Sequence, residues 1–305
     1  MIALTRLREL NLSTAPAESR PRHVSAASGL VRVQSHLYVV VDDELHLAVF
    51  PAAGSAPGHL IRLFEGTLPA PKAGRKKQKP DLEALTLLPA DERDPHGALL
   101  ALGSGSTRNR HRAALLSLDA QGDVSGAACI ADCSPIFNTL ADEFPTLNIE
   151  GALICDGEIR LFQRGNRSDP RNAIIRFRLA AVRAMLRGET NAEIMPLSID
   201  VVDIGAIDGI PYSFTDAASL PDGGTLFTAI VEDTPDAYQD GPCAAAAIGR
   251  LDRDGGLRWL RPLDHPHKIE GVDARIDGNA IRLLLVTDAD DADVPAELFS
   301  AVTEI

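Results

Sequence analysis

A short phrase recurs along this chain: an acid, a small residue, then an apolar run. Glu83-Ala84-Leu85, Glu150-Gly151-Ala152, Asp216-Ala217-Ala218 and Glu270-Gly271-Val272 are four copies. Ser28-Gly29-Leu30 is a fifth, with serine in place of the acid. The copies stand about 54–67 residues apart, and self-similarity at a near-constant spacing is the mark of a repeat architecture. Such a fold can bring carboxylates that are far apart in sequence around one axis.

The same order of elements follows each copy. In the third, apolar runs at 152–154, 159–162, 173–177 and 199–204 read as four strands. Asp156-Gly157 between the first two is a tight hairpin signal, repeated at Asp222-Gly223 and Asp277-Gly278. Four antiparallel strands per unit make a propeller blade. The expected fold is therefore all-β, a five-bladed β-propeller forming one domain over residues 1–305. Six blades is the alternative, should a divergent blade occupy a long gap. The fifth unit lacks a fourth strand. The alternating N-terminal run 2–12 can supply it, closing the ring and removing an exposed edge. One stretch, 179–187, reads as a helix stopped by Gly188. The basic, breaker-rich segment 71–80 reads as a solvated loop.

Composition narrows the function. Hydrophobic residues make up 45% of the chain, enough for a sizeable core, and the formal net charge is −13. An acidic chain is a poor partner for a phosphate backbone, so nucleic acid is not expected. Residues 1–10 contain no secretory h-region, and no apolar run reaches the length of a membrane span. Cys129, Cys133, Cys155 and Cys243 include no CxxC pair, which suits reduced thiols in a cytoplasmic protein.

If the recurring acid marks the top of each innermost strand, strand polarity sends the loops 103–112, 164–172, 232–243 and 287–296 to the top face. The connections between blades arrive there too, and long loops on one face of a rigid scaffold carry binding. Glu83, Glu150, Asp216 and Glu270 then converge on the axis. Several close carboxylates need a shared proton or a cation. Oxygen-only ligands favour Ca²⁺, with Mg²⁺ or Mn²⁺ behind it. The competing role for these acids is to anchor the blades by accepting backbone N–H groups. Arg108, Arg110, Arg164 and Arg167 in the rim loops, with His267 and Lys268, could hold an anionic small molecule, since the guanidinium fork suits phosphate or carboxylate. Alternatively they balance the acidic rim. Asp288, Asp290, Asp291 and Asp293 read as a second cation site or a solvated acidic loop. His23, His265 and His267 reach the same rim, where a histidine or a metal-bound water could act in hydrolysis. Ser104 and Ser106 do not complete a nucleophile elbow.

Asp81-Leu82-Glu83-Ala84, Asn148-Ile149-Glu150-Gly151 and Lys268-Ile269-Glu270-Gly271 resemble the phytase-like β-propellers, which include the "esterase-like activity of phytase" domains and the SdiA-regulated propellers. The resemblance spans nearly the whole chain. It implies a propeller with calcium at the hub. The full set of secreted-phytase metal ligands is not matched. Two functions follow: a cation- and anion-binding propeller that hydrolyses a phosphoester or carboxylic ester, or a non-catalytic scaffold binding a protein or ligand on the same rim.

Overall fold

The computed structural model describes residues 1–232 and 243–305. Most of the predicted top loop 232–243 therefore lies outside the described residues. Strand β1 (Thr5–Glu9) comes first in the chain but last in the ring. Blade one is β2 (Ala27–Val33), β3 (His36–Val41), β4 (His46–Pro51) and β5 (His59–Arg62). Helix α1 (Lys72–Gln78) leads into blade two: β6 (Leu82–Leu88), β7 (Ala98–Gly103), β8 (Arg112–Ser117) and β9 (Cys129–Asp132). A short helix, α2 (Ser134–Phe137), precedes blade three: β10 (Ile149–Cys155), β11 (Glu158–Gln163), β12 (Asn172–Arg178) and β13 (Ser198–Val202). Helix α3 (Leu179–Leu186) sits between β12 and β13, as expected. A two-stranded ribbon, β14 (Ala206–Ile207) and β15 (Ile210–Pro211), leads to blade four. That blade is β16 (Ser213–Ser219), β17 (Thr225–Glu232), β18 (Cys243–Leu251) and β19 (Leu257–Pro262). Blade five is β20 (Ile269–Asp277), β21 (Ala280–Thr287), β22 (Glu297–Glu304) and, on its outer edge, β1.

Five sheets packed face to face in a closed ring have five interfaces, and the apolar core divides into five clusters to match. Leu85 and Leu99 pack with Val40 and Leu47 between blades one and two. Ile149 and Leu161 pack with Leu100 and Leu102 between two and three. Phe162 meets Phe214 edge-on between three and four, and Phe214 meets Phe227 the same way within blade four. Val272 and Leu283 pack with Ile230 and Ile248 between four and five. The last cluster, Leu298 and Val286 against Leu30 and Val39, includes Leu10 and closes the ring. A six-bladed ring is thereby excluded.

Local chemistry accounts for the strands. Asp156 and Gly157 both hold left-handed backbone (φ 52 and 76). That geometry gives the two-residue turn whose twist matches the flanking strands. Helix α3 is fastened to blade two by charge: Arg187 reaches Asp91 and Asp94, and Arg183 reaches Asp91, each at 2.7 Å.

Each innermost strand carries a one-residue bulge near its top. The register slips at Ser28 in β2, Glu83 in β6, Glu150 in β10, Thr215 in β16 and Glu270 in β20. A bulge re-aims one side chain without ending the strand. This fivefold device turns a repeated sequence phrase into a ring.

Candidate functional site: a charged funnel at the hub

The bulges correct one expectation. In blade four the bulged residue is Thr215, so Asp216 stands one position out of register with the other acids. A one-residue shift along a strand sends the side chain to the other face. Asp216 accordingly does not line the hub cavity, whereas Ser28, Glu83, Glu150 and Glu270 do. Its carboxylate accepts the N–H of Ala217 at 2.7 Å and that of Val272, on blade five, at 2.8 Å. The Leu30 N–H of blade one also bonds to it. Asp216 thus pins three blades together, the anchoring role the sequence had left open. Asp216→Ala is expected to strand these buried N–H groups and cost about 2–4 kcal/mol in chemical denaturation. An unchanged unfolding midpoint would refute the pin.

The funnel is built in tiers, and strand periodicity explains them. Two residues before the bulge, on the same face, come Ala26, Asp81, Asn148 and Lys268, all of which line the cavity. The residue after the second strand forms another tier, with Asp42, Arg164 and Asp288 lining the cavity in blades one, three and five, while Ser104, their counterpart in blade two, is buried behind Asp81. The cavity measures about 130 Å³. No aromatic side chain lines it among the described residues.

Internal cations answer most of the acids. Arg164 lies 2.6 Å from Glu232, 3.4 Å from Glu150 and 3.6 Å from Glu270. Lys268 lies 2.8 Å from Asp290 and 3.6 Å from both Glu232 and Glu270. On the other wall Lys79 pairs with Asp42 and, at 2.7 Å, with Asp81. Asp81 also receives Arg110 at 2.6 Å and the Ser104 hydroxyl at 2.6 Å. Glu83 is the exception: it has no hydrogen-bond or ion-pair partner among the described residues. One oxygen each from Asp42, Asp81 and Glu83 lie within 4.8 Å of one another.

Burial sets the proton affinities. It drives Glu83 well above the usual carboxylate range, reinforced by Asp81, Glu150 and Asp42. Burial likewise raises Glu150 and Glu270, although Arg164 and Lys268 pull both back. Asp42 rises to about 6 from burial, against the pull of Lys79.

The other predicted residues divide. Arg110, Arg164 and Lys268 line the cavity, while Arg108 and Arg167 are exposed and do not. His267 also lies outside the funnel, with its ring packed on Phe299 at 4.7 Å. His23 is spent on the Ala292 carbonyl at 3.1 Å. Ser104 is buried against Asp81 and is no exposed nucleophile. Asp288 and Asp290 belong to the funnel wall, and Lys268 engages Asp290. The segment 71–80 is not a solvated loop. Its residues 72–78 form α1, which with Lys79 brings Lys72, Arg75, Lys76 and Lys79 to the funnel mouth. Arg75 rests on Asp43 at 3.5 Å, and Lys72 donates to the Asp290 carbonyl at 3.0 Å. Asp42, Asp81 and Glu232 went unread as site residues, and Asp288 was read only as part of a second cation site or an acidic loop. Asp42, Asp81 and Asp288 could have been placed at the hub from the tiers, by stepping two residues back from each acid and one past each second strand.

A five-bladed propeller with a charged axial funnel is the class this fold and site define. Within it, the chain belongs to the DUF6929 family, described as a family of unknown function, whose model matches residues 23–302. No curated protein matches it. Among solved structures it is similar to a glycosyl hydrolase from Bacteroides ovatus (13% identity, 99% of this chain and 93% of that one, TM-score 0.49). A luciferin-regenerating enzyme aligns at 8% identity over 100% and 98% of the two chains, TM-score 0.48. A gluconolactonase from Xanthomonas campestris aligns at 11% identity over 99% and 98%, TM-score 0.40.

Proposed function

We propose that the funnel binds a divalent cation of the Ca²⁺ type together with a small anionic molecule, and that the protein is a hydrolase of ester or phosphoester bonds. The observation that carries this reading is the unpartnered Glu83 beside Asp42 and Asp81. Three carboxylate oxygens this close, with Lys79 answering only two of the acids, fit one hard cation. The four-acid ring fits less well, because Asp216 faces away and Glu150 and Glu270 share Arg164. When bound, the cation would polarise a carbonyl or phosphoryl oxygen. The basic residues of α1 would draw the anion to the mouth. The resemblance to phytase-like propellers supports the same pairing of cation and anion. Free cysteines are in keeping with a cytoplasmic setting, which is part of the proposal. Among the described residues no helix is long and apolar enough to cross a membrane.

Thermal melting with chelator and with added Ca²⁺ tests the cation. A ligand bound only by the folded state raises the midpoint with its concentration. Glu83→Gln is expected to abolish that rise while leaving the chelated protein as stable as before, or more so, since a neutral amide ends the crowding of like charges. If no divalent ion shifts the wild-type midpoint, the cation reading fails and the non-catalytic scaffold takes its place. A screen of phosphate and carboxylic esters then tests hydrolysis.

A further inference from the structure

We propose that the Glu232–Glu270 side of the funnel is a subsite for a primary ammonium group, so that the small molecule carries an amine beside its anionic group. The inference rests on the funnel reading above and adds the class of ligand. It begins from two orphaned atoms. Oε1 of Glu232 and Oε1 of Glu270 are buried in the wall without a hydrogen-bond partner among the described residues. Their side chains are only 5% and 4% exposed. Each oxygen stands 3.6 Å from the same Lys268 ammonium, beyond hydrogen-bond reach.

The nearby donors are turned elsewhere or fall short: Arg164 Nη1, like Lys268, stops 3.6 Å from the Glu270 oxygen. Lys268 gives N–H bonds to both oxygens of Asp290 at 2.8 Å. Arg164 gives its short bond, 2.6 Å, to the other oxygen of Glu232. Asn148 donates to Glu150 at 2.5 Å. An acceptor left bare in a buried site costs about 1–3 kcal/mol, so this wall is built for a donor that comes from elsewhere.

The charge balance points the same way. Glu150, Glu232, Glu270 and Asp290 face Arg164 and Lys268, which leaves this wall with more acids than bases. An ammonium brings three donors, no acceptor and one positive charge, and so meets both needs. A hydroxyl brings a single donor and no charge. A divalent ion here would face two fixed cations at close range. The basic face of α1 lines the same cavity and suits the anionic end of such a molecule. A cavity of about 130 Å³ suits a small molecule.

Titration calorimetry and thermal melting of the full chain test the subsite with O-phosphoethanolamine, phosphocholine and inorganic phosphate. O-phosphoethanolamine should bind at least about tenfold more tightly than phosphate, because a site built around bare acceptors discriminates against ligands that cannot fill them. Phosphocholine, cationic but without an N–H, should bind no better than phosphate. Glu232→Gln and Glu270→Gln should each erase the preference for the amine while leaving the response to phosphate and to Ca²⁺ in place. Equal binding of the three compounds, binding of none, or a preference that survives both substitutions would overturn the subsite. The three-compound comparison is made within the wild-type protein, so a misfolded variant cannot mask it. The Ca²⁺ response is read separately: its loss with the amine preference intact removes the cation reading alone, and the reverse removes the ammonium subsite alone.

Discussion

Arg164→Met is expected to destabilise the protein by about 3–5 kcal/mol, because a buried ion pair that loses one partner leaves uncompensated charge behind. The geometry makes this a severe case. One guanidinium answers Glu150, Glu232 and Glu270, and all three carboxylates have side chains no more than 5% exposed. Methionine fills the volume but offers nothing to the acids. The loss should depend on pH in a defined direction. Burial already lifts Glu150 and Glu270 above their ordinary values, and removing Arg164 lifts them further. A carboxyl whose folded pKa exceeds its unfolded one takes up a proton on folding, so its contribution favours the folded state at low pH and is lost as pH rises. The deficit of Arg164→Met relative to wild type should therefore shrink toward about pH 5 and widen toward about pH 8. Melts of both proteins across that range decide the matter. A deficit that is flat, or that grows as pH falls, would show that Arg164 acts through packing and not charge.

Removing residues 1–9 is expected to have an effect of similar or greater size. Strand β1 pairs with β22 from Thr5↔Ser300 to Glu9↔Glu297 and completes blade five, which is assembled from both ends of the chain. Arg8 reinforces the closure from a buried position. Its guanidinium donates to the carbonyls of Pro51 at 2.7 Å, Gly54 at 3.2 Å and Ala56 at 3.3 Å, and lies over the Phe50 ring. These contacts tie the last blade to the first. Without β1 the long strand β22 becomes an open edge, a template for pairing with other chains. The truncated protein should melt at least about 10 °C lower and associate, as read by scanning calorimetry and size-exclusion chromatography. Arg8→Ala, which keeps the strand, should cost a smaller amount, about 2 kcal/mol. A truncated protein with wild-type melting and no association would mean that the ring does not depend on this strand.

The propeller was legible because its signals are local and repeated. Asp-Gly turns, four apolar runs per unit and a recurring acid-small phrase each reflect neighbouring residues. The N-terminal strand could be inferred from a missing partner at the other end. The site was legible only in part. Glu83, Glu150 and Glu270 were found because the phrase is written three times with glutamate. Asp216 was misplaced because the phrase cannot reveal which residue bulges, and a slip of one position reverses a side chain. Helix α1 was missed because its glycine and lysines look like a solvated loop. What orders it is the hub, through Asp42, Asp43 and Asp290.

The amino-acid sequence alone determined the four-stranded repeat, the order of strands within it and the N-terminal run as the candidate closing strand. These follow from periodicity and turn chemistry, which act over a few residues at a time. Five blades rather than six was decided by the packed ring. The tertiary structure alone decided which charges meet. Arg164 finds Glu232 and Glu270, and Lys79 finds Asp42, only once five sheets have curled around an axis. Electrostatic energy depends on distance and burial, and neither is written in the spacing of residues along a chain.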